Sequence, residues 1–342
     1  MIPPARSPRP LSPRPLIADA CVTPGATLWL ALGGPSAPGG LMVSRDGARG
    51  LRELTRQDPR DPDAHHFFSV CALDERHVWA CGAQGEDDTG VLWRSTDGGS
   101  FWEVLMAGDR ARGLEPGAMY TQVHFTDAQR GFLVCAGEAM LATADGGRTW
   151  SPVAVPGATP FGLHFRDARR GWMVSHDLDA RRIPVRTRLF GTHDGGATWR
   201  AEAHDFAGLD AVDVAGLRVE ADGAAILCGP EGMLLRAHLA PHGVTRWRFA
   251  RGAVADDLNC VARSPDGALW VAGECGVLLV SRDGGGSFTE VATQTRRDLH
   301  ALAFVPDASG RAVGFAFGDR GTILRFDPTA ASAPMREAAP WP

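Results

Sequence analysis

Residues 143–150 read Thr143-Ala-Asp145-Gly-Gly-Arg-Thr-Trp150, and the phrase returns as Ser95-Thr-Asp97-Gly-Gly-Ser-Phe-Trp102, Thr192-His-Asp194-Gly-Gly-Ala-Thr-Trp199 and Ser281-Arg-Asp283-Gly-Gly-Gly-Ser-Phe288. A shorter copy, Ser44-Arg-Asp46-Gly47, precedes them. From Asp46 onward these aspartates are spaced 51, 48, 49 and 89 residues. The last gap is nearly two periods, which places a degenerate copy around Gly232-Met-Leu-Leu-Arg236 and Arg246-Trp247; Gly321-Thr-Ile-Leu-Arg-Phe-Asp327 supplies one more. Self-similarity at about 40–50 residues marks an array of supersecondary units that bury their apolar faces against one another.

Each unit has one grammar. A short apolar strand that often follows a glycine precedes each box, as in Gly90-Val-Leu-Trp93 and Gly276-Val-Leu-Leu-Val280. Upstream lies a strand ending in small residues, as in Val78-Trp-Ala-Cys-Gly82 and Phe132-Leu-Val-Cys135. Before that comes a first strand such as Thr121-Gln-Val-His-Phe125, and a fourth follows the box, as in Glu103-Val-Leu105. Four short strands per unit is the composition of a propeller blade, and no segment holds a helical period for three turns. The pattern predicts an all-β chain, a seven-bladed β-propeller of four-stranded antiparallel blades. The blades fall at roughly 17–58, 64–107, 118–156, 159–205, 208–251, 256–294 and 298–342, after a Pro/Arg-rich flexible tail over 1–16.

Within the box, an aspartate side chain can accept hydrogen bonds from backbone N–H groups of its own hairpin, while the glycines take the positive φ a tight turn needs. The Ser or Thr hydroxyl closes the loop from the other side and the terminal Trp or Phe packs between blades. Asp46, Asp97, Asp145, Asp194 and Asp283 are therefore read as scaffold. The cysteines fit the same reading: Cys81, Cys135 and Cys228 occupy matching strand ends where small buried residues suit, and no Cys-x-x-Cys pair suggests a metal site.

Composition removes several chemistries. All 35 basic residues are Arg, so a Schiff-base lysine and a phosphate-loop lysine are excluded. The formal net charge of −5 offers no global basic field for nucleic acid. No apolar run approaches the length of a membrane helix and the N-terminus has no secretory h-region, so the reading is a cytoplasmic protein with no membrane insertion. No cofactor is expected.

The Ser/Thr-x-Asp-x-Gly-x-Thr-Trp boxes resemble the BNR or Asp-box repeats of sialidases, sortilin-type receptors and related propellers. The fuller phrase Phe125-Thr-Asp-Ala-Gln-Arg-Gly-Phe132, running on to Asp145-Gly-Gly-Arg-Thr-Trp150 and echoed by Phe165-Arg-Asp-Ala-Arg-Arg-Gly-Trp172, is most similar to the photosystem II stability/assembly factor-like family. That resemblance implies a seven-bladed propeller that binds proteins during complex assembly rather than an enzyme.

In a propeller, the loops from fourth to first strand and from second to third surround one channel mouth, opposite the boxes. Aligning the first strands by their apolar pattern puts Ser69, Thr121, Phe161, Asp210, Asn259 and His300 near that mouth, with His65, His66, Tyr120, Asp256, Asp257, Arg296, Arg297 and Asp298 beside them. Blade 4 inserts a long segment, His176 to Arg188, carrying Arg181, Arg182, Arg186 and Arg188, while the equivalent blade 2 loop carries Glu86, Asp87 and Asp88. Arginine forks suit carboxylates and phosphates, so the blade 4 arginines are the leading candidates for contact with a protein partner. The alternative is a carbohydrate-active propeller, a sialidase-like or other glycoside hydrolase or a lectin. It would draw on Tyr120 with Glu115, an arginine cluster, or a carboxylate pair among Asp210, Asp256 and Asp257. Oligomeric state is not legible.

Overall fold

The computed structural model describes residues 15–33, 39–47, 50–56, 65–85, 89–107, 118–135, 139–154, 159–181, 184–203, 214–220, 222–239, 245–250, 254–330 and 336–337. They form seven four-stranded antiparallel sheets, each built from consecutive strands. The first strands are Leu16–Val22, His65–Ala72, Tyr120–Phe125, Thr159–Phe165, Gly216–Val219, Leu258–Arg263 and Leu299–Pro306. Each packs against the next, and that of blade 7 against that of blade 1. The only helical segments among the described residues are two 3-10 turns, Glu274–Gly276 and Asp319–Gly321. None of the described helices is long and apolar enough to cross a membrane. The degenerate fifth unit takes the same form, with strands Ala224–Cys228, Leu234–His238 and Arg248–Phe249 and a fully buried Trp247 at the box position.

The ring closes without a shared blade. Each sheet is contiguous in sequence, so closure rests on Ile17, Leu30 and Leu32 of blade 1 packing against Ala301, Phe315 and Phe317 of blade 7, and on the Gly321 N–H donating to the Pro15 carbonyl at 2.6 Å. Elsewhere the blades are clasped by aromatic rings. Trp79 on the second strand of blade 2 stacks at 3.7 Å on Phe125 of blade 3, and Trp150 meets the edge of that same phenylalanine at 6.1 Å. Phe132 and Trp199 hold Phe165 in the same way. The repeated Trp and Phe positions thus serve packing between blades.

The aspartate turns repeat one hydrogen-bond set. Asp145 Oδ1 accepts from the Thr143 hydroxyl at 2.8 Å and from the Thr149 N–H at 2.9 Å, while the Gly147 N–H donates to Thr143 Oγ1 at 3.0 Å. Asp97, Asp194 and Asp283 do likewise with Ser95, Thr192 and Ser281. Asp46 accepts from Ser44 and from the Gly50 N–H. The two glycines of the full turns have φ between 72° and 93°, a region closed to most other residues. The turns also bond to the adjoining loop between first and second strands, as Gly146 N–H does to the Gln129 carbonyl at 2.8 Å, which fixes both on the face opposite the channel mouth.

These bonds hold the turn carboxylates ionised. Hydrogen bonds from Thr149 pull Asp145 down to about 2, those from Thr198 do the same for Asp194, and Asp97 and Asp283 are lowered by their own turn donors. A carboxyl whose folded pKa lies below its unfolded value stabilises the fold above the unfolded pKa, and that contribution disappears as pH falls towards the folded value. We expect the melting temperature to drop between pH 4 and pH 2, and Asp194→Asn to flatten that part of a calorimetric profile. Removing one aromatic clasp, Trp79→Ala, should cost about 3–5 kcal/mol in urea denaturation while the neighbouring strands keep their register.

Candidate functional site

The first strand of each blade presents its free edge to the channel, and six of the seven carry an irregularity at one level. In blade 1 the pairing skips Ala18, in blade 2 Phe68, in blade 3 Thr121, in blade 4 Phe161, in blade 6 Asn259 and in blade 7 His300. Each is the extra residue of a β-bulge, which takes the strand out of strict alternation and turns a side chain to the axis. In blade 5 the described strand begins at Gly216, and Ala215, whose N–H donates to the Cys228 carbonyl opposite Gly216, holds the corresponding place.

These residues line a cavity of about 310 Å³ on the channel axis, with Asp19, Ser69, Gln122, Gly162, Gly216 and Cys260 one step further in. Ser69, Thr121, Phe161, Asn259 and His300, aligned from the sequence, all reach it. Asp210 lies outside the described residues; among those described, Ala215 lines the cavity for blade 5. Tyr120 is corrected. It precedes the bulge, is fully buried against Cys81 and Leu133 beneath Gly90, and does not line the cavity. Asp19 and Gln122 were not singled out in the sequence, since a bulge shifts by one the residue that a period of 2 would select.

Most of the ring's polar groups already have partners. Asn259 donates to the Leu299 carbonyl at 3.0 Å, His300 Nε2 meets Asp319 Oδ1 at 2.9 Å, and the Gln122 amide makes two bonds of 2.8 Å with Leu163. Asp19 accepts from the Ala20 and Val70 N–H groups at 2.8 and 3.0 Å. Burial in the channel wall pushes its carboxyl up. Deeper in, His124 and His164 are each lowered to about 4 by burial, His124 further by His164 and His164 by Arg218. His65, next to the mouth, stacks edge-on against Trp93 at 5.0 Å.

On the rim, Glu231 and Cys275 sit in left-handed turns between second and third strands, with φ of 51° and 52°. Their N–H groups donate to Asp257 and Asp298 of the following blades. The carboxylates Asp257, Asp298 and Asp256 crowd Glu274, which together with burial raises its pKa. Arg296 is exposed there, and Arg297 reaches Thr322 Oγ1 at 3.3 Å. Among the described residues, no three His, Cys, Asp or Glu side chains gather as metal ligands.

Blade 4 projects past this rim. Its second and third strands, Gly171–Leu178 and Pro184–Thr192, pair from Gly171 opposite Thr192 out to Leu178 opposite Pro184, whereas blade 3 stops at Cys135 opposite Ala139. Asp177 lies opposite Arg186, and Arg188 clamps the Asp177 carboxylate from Nε and Nη2 at 3.1 and 2.6 Å. Arg186 and Arg188 line a second cavity of about 270 Å³ with Leu189 and Glu202, and neither lines the channel. Arg181 is exposed at the hairpin tip. Arg182, and Glu86, Asp87 and Asp88 of blade 2, lie outside the described residues. The site read from the sequence as one face is therefore two patches, a neutral polar channel ring and an arginine-bearing arm.

No protein-family model matches the sequence, and no curated protein matches it significantly. Solved structures do match the fold. "YCF48 bound to D1 peptide" superposes with a TM-score of 0.65 at 18% identity, over 92% of this chain and 94% of that one. "YCF48 from Cyanidioschyzon merolae" gives 0.66 at 16% identity, over 93% and 97%, and the WD40 β-propeller domain of Doa1 gives 0.61 at 14% identity, over 94% and 95%. At these identities the likeness is one of fold.

The two channel histidines make a pH signature. Each resists protonation in the fold but not in the unfolded chain, so stability is full above the unfolded pKa near 6.5 and declines as pH falls towards 4. The slope is at most ~1.4 kcal/mol per pH unit for each histidine. His124→Phe, which keeps a ring against Phe165, should remove about half of the loss between pH 6.5 and 4 in urea titrations.

Proposed function

We propose that this propeller is a non-catalytic protein-interaction module, of assembly-factor type, that holds a partner protein on the channel-mouth face. The observation that carries this reading is the blade 4 arm, which puts Arg181 and Arg186 beyond the rim on a rigid antiparallel hairpin. Arg188 braces that arm by clamping Asp177, and guanidinium groups have the forked geometry that recognises carboxylates. The fold likeness to a propeller recorded with a bound peptide supports the same reading. A hydrolytic site of the carbohydrate-active kind calls for two carboxylates and an arginine within one pocket. Among the described residues, the channel cavity is lined by one carboxylate, Asp19, and by no arginine, while the other acidic groups stand on the rim.

The experiment is quantitative affinity capture from the native host. Wild type is compared with the Arg181→Ala/Arg186→Ala variant, and with Arg169→Ala/Arg170→Ala on the opposite face as control. We expect recovery of the specific partner to fall at least about tenfold for the arm variant, the effect of losing one or two charge-assisted contacts, and to be unchanged for the control. Equal recovery from arm variant and wild type removes the arm from the partner surface.

A further inference from the structure

The channel cavity holds one ionisable carboxylate among the described residues, that of Asp19, and its other polar lining is neutral or already paired. The Asp19 oxygens accept one backbone N–H each, which leaves further acceptor capacity on both. Among the described residues no arginine or histidine compensates it; burial is the largest influence, and the groups that act on it are Val70, Ala20 and Ser69. A half-buried carboxylate with backbone donors but no cation is a poor solution for the protein alone, because the charge has lost water without gaining a counter-charge.

The shape of the cavity points the same way. In a ring of seven blades, the wall across from blade 1 is the junction of blades 4 and 5. The residues equivalent to Asp19 there are Gly162 and Gly216, whereas other blades carry Ser69, Gln122 and Cys260 at this level. A Cβ placed on Gly162 would meet nothing within 4 Å, whereas one on Gly216 would meet Cys228 Sγ at 2.7 Å. The open side of the channel is therefore at Gly162, across the ring from the carboxylate, with Ser69 beside Asp19.

We propose that the channel is a binding site for an organic cation, an alkylammonium or guanidinium group that enters from the mouth and rests its charge on Asp19. The volume of about 310 Å³ accommodates such a group with its methylene stem. A free polyamine-like base and the Lys or Arg side chain of a seated partner share this chemistry. The site does not depend on the blade 4 arm, so it stands or falls separately from the partner surface.

Calorimetric titration tests it with two probes, agmatine and acetyl-Gly-Arg-Gly-amide, and with butyramide as a neutral control. We expect saturable binding of at least one cationic probe, none of butyramide, and a loss of at least about tenfold in Asp19→Asn. Gly162→Leu, which leaves Asp19 untouched and fills the open side, should abolish binding while the protein melts as wild type. It also decides the matter if Asp19→Asn fails to fold. Tighter binding of agmatine identifies a free base as the source, and tighter binding of the peptide a partner side chain. Arg186→Ala should bind both probes as wild type does. Absence of saturable binding to wild type, or wild-type affinity in either folded variant, overturns the proposal.

Discussion

Seven inner strands each expose one edge, and the fold depends on how the N–H and C=O groups of those edges are satisfied. A free edge is a liability that closure of a ring does not remove, because the strands meet face to edge around the channel and do not pair with one another. Here the side chains of one blade bond to the backbone of the next. Asp19 takes the Val70 N–H, Ser69 takes that of Val123 at 3.4 Å, and Gln122 brackets Leu163. Two residues further along, Cys21 takes the Ala72 N–H at 3.3 Å, Cys71 that of Phe125 at 3.3 Å, and His164 meets the Val219 carbonyl at 3.2 Å. Blades 1 to 5 are thus stitched in sequence by the channel lining itself. The stitching gives the inner-strand thiols a role: burial lifts Cys21 to about 11, so it acts as a neutral weak acceptor.

Around this inner ring the aromatic clasps and aspartate turns work at larger radius and on the opposite face. The turns leave the outer hairpins self-sufficient, since each carboxylate satisfies donors of its own loop. That frees the mouth loops to differ. Blades 5 and 6 use compact left-handed turns tied to Asp257 and Asp298, and blade 7 one tied to the Pro15 carbonyl, whereas blade 4 extends a paired hairpin. The opposite face is repetitive because the carboxylate of each full box satisfies its own turn, with bonds such as Arg94 to the Gly146 carbonyl added between blades.

The sequence disclosed the repeat, the strand count and the role of the boxes, because turn chemistry and apolar alternation act over a few residues. It also brought Thr121, Phe161, Asn259 and His300 to one level and Ser69 one step further in, where Phe68 holds the level of the others. It failed at Tyr120 and passed over Asp19 for one reason: these inner strands are bulged, and a bulge exchanges the channel-facing residue for its neighbour without any mark in composition. The arginines were legible as a charge run. Their placement was not, because the pairing of Asp177 with Arg186 and the clamp from Arg188 exist only once the hairpin extends.

What the residues alone determined is the architecture. Asp-Gly-Gly turns, β-branched and aromatic strands and a period near 47 residues admit few folds, and each of these signals is set by local sterics. What tertiary structure decided is which surfaces are available for binding. Separating a channel with one carboxylate from an arginine-bearing arm required the seven blades to be set in a ring, since Asp19 and Gly162 face each other only across that ring, at a sequence separation that local forces do not bridge.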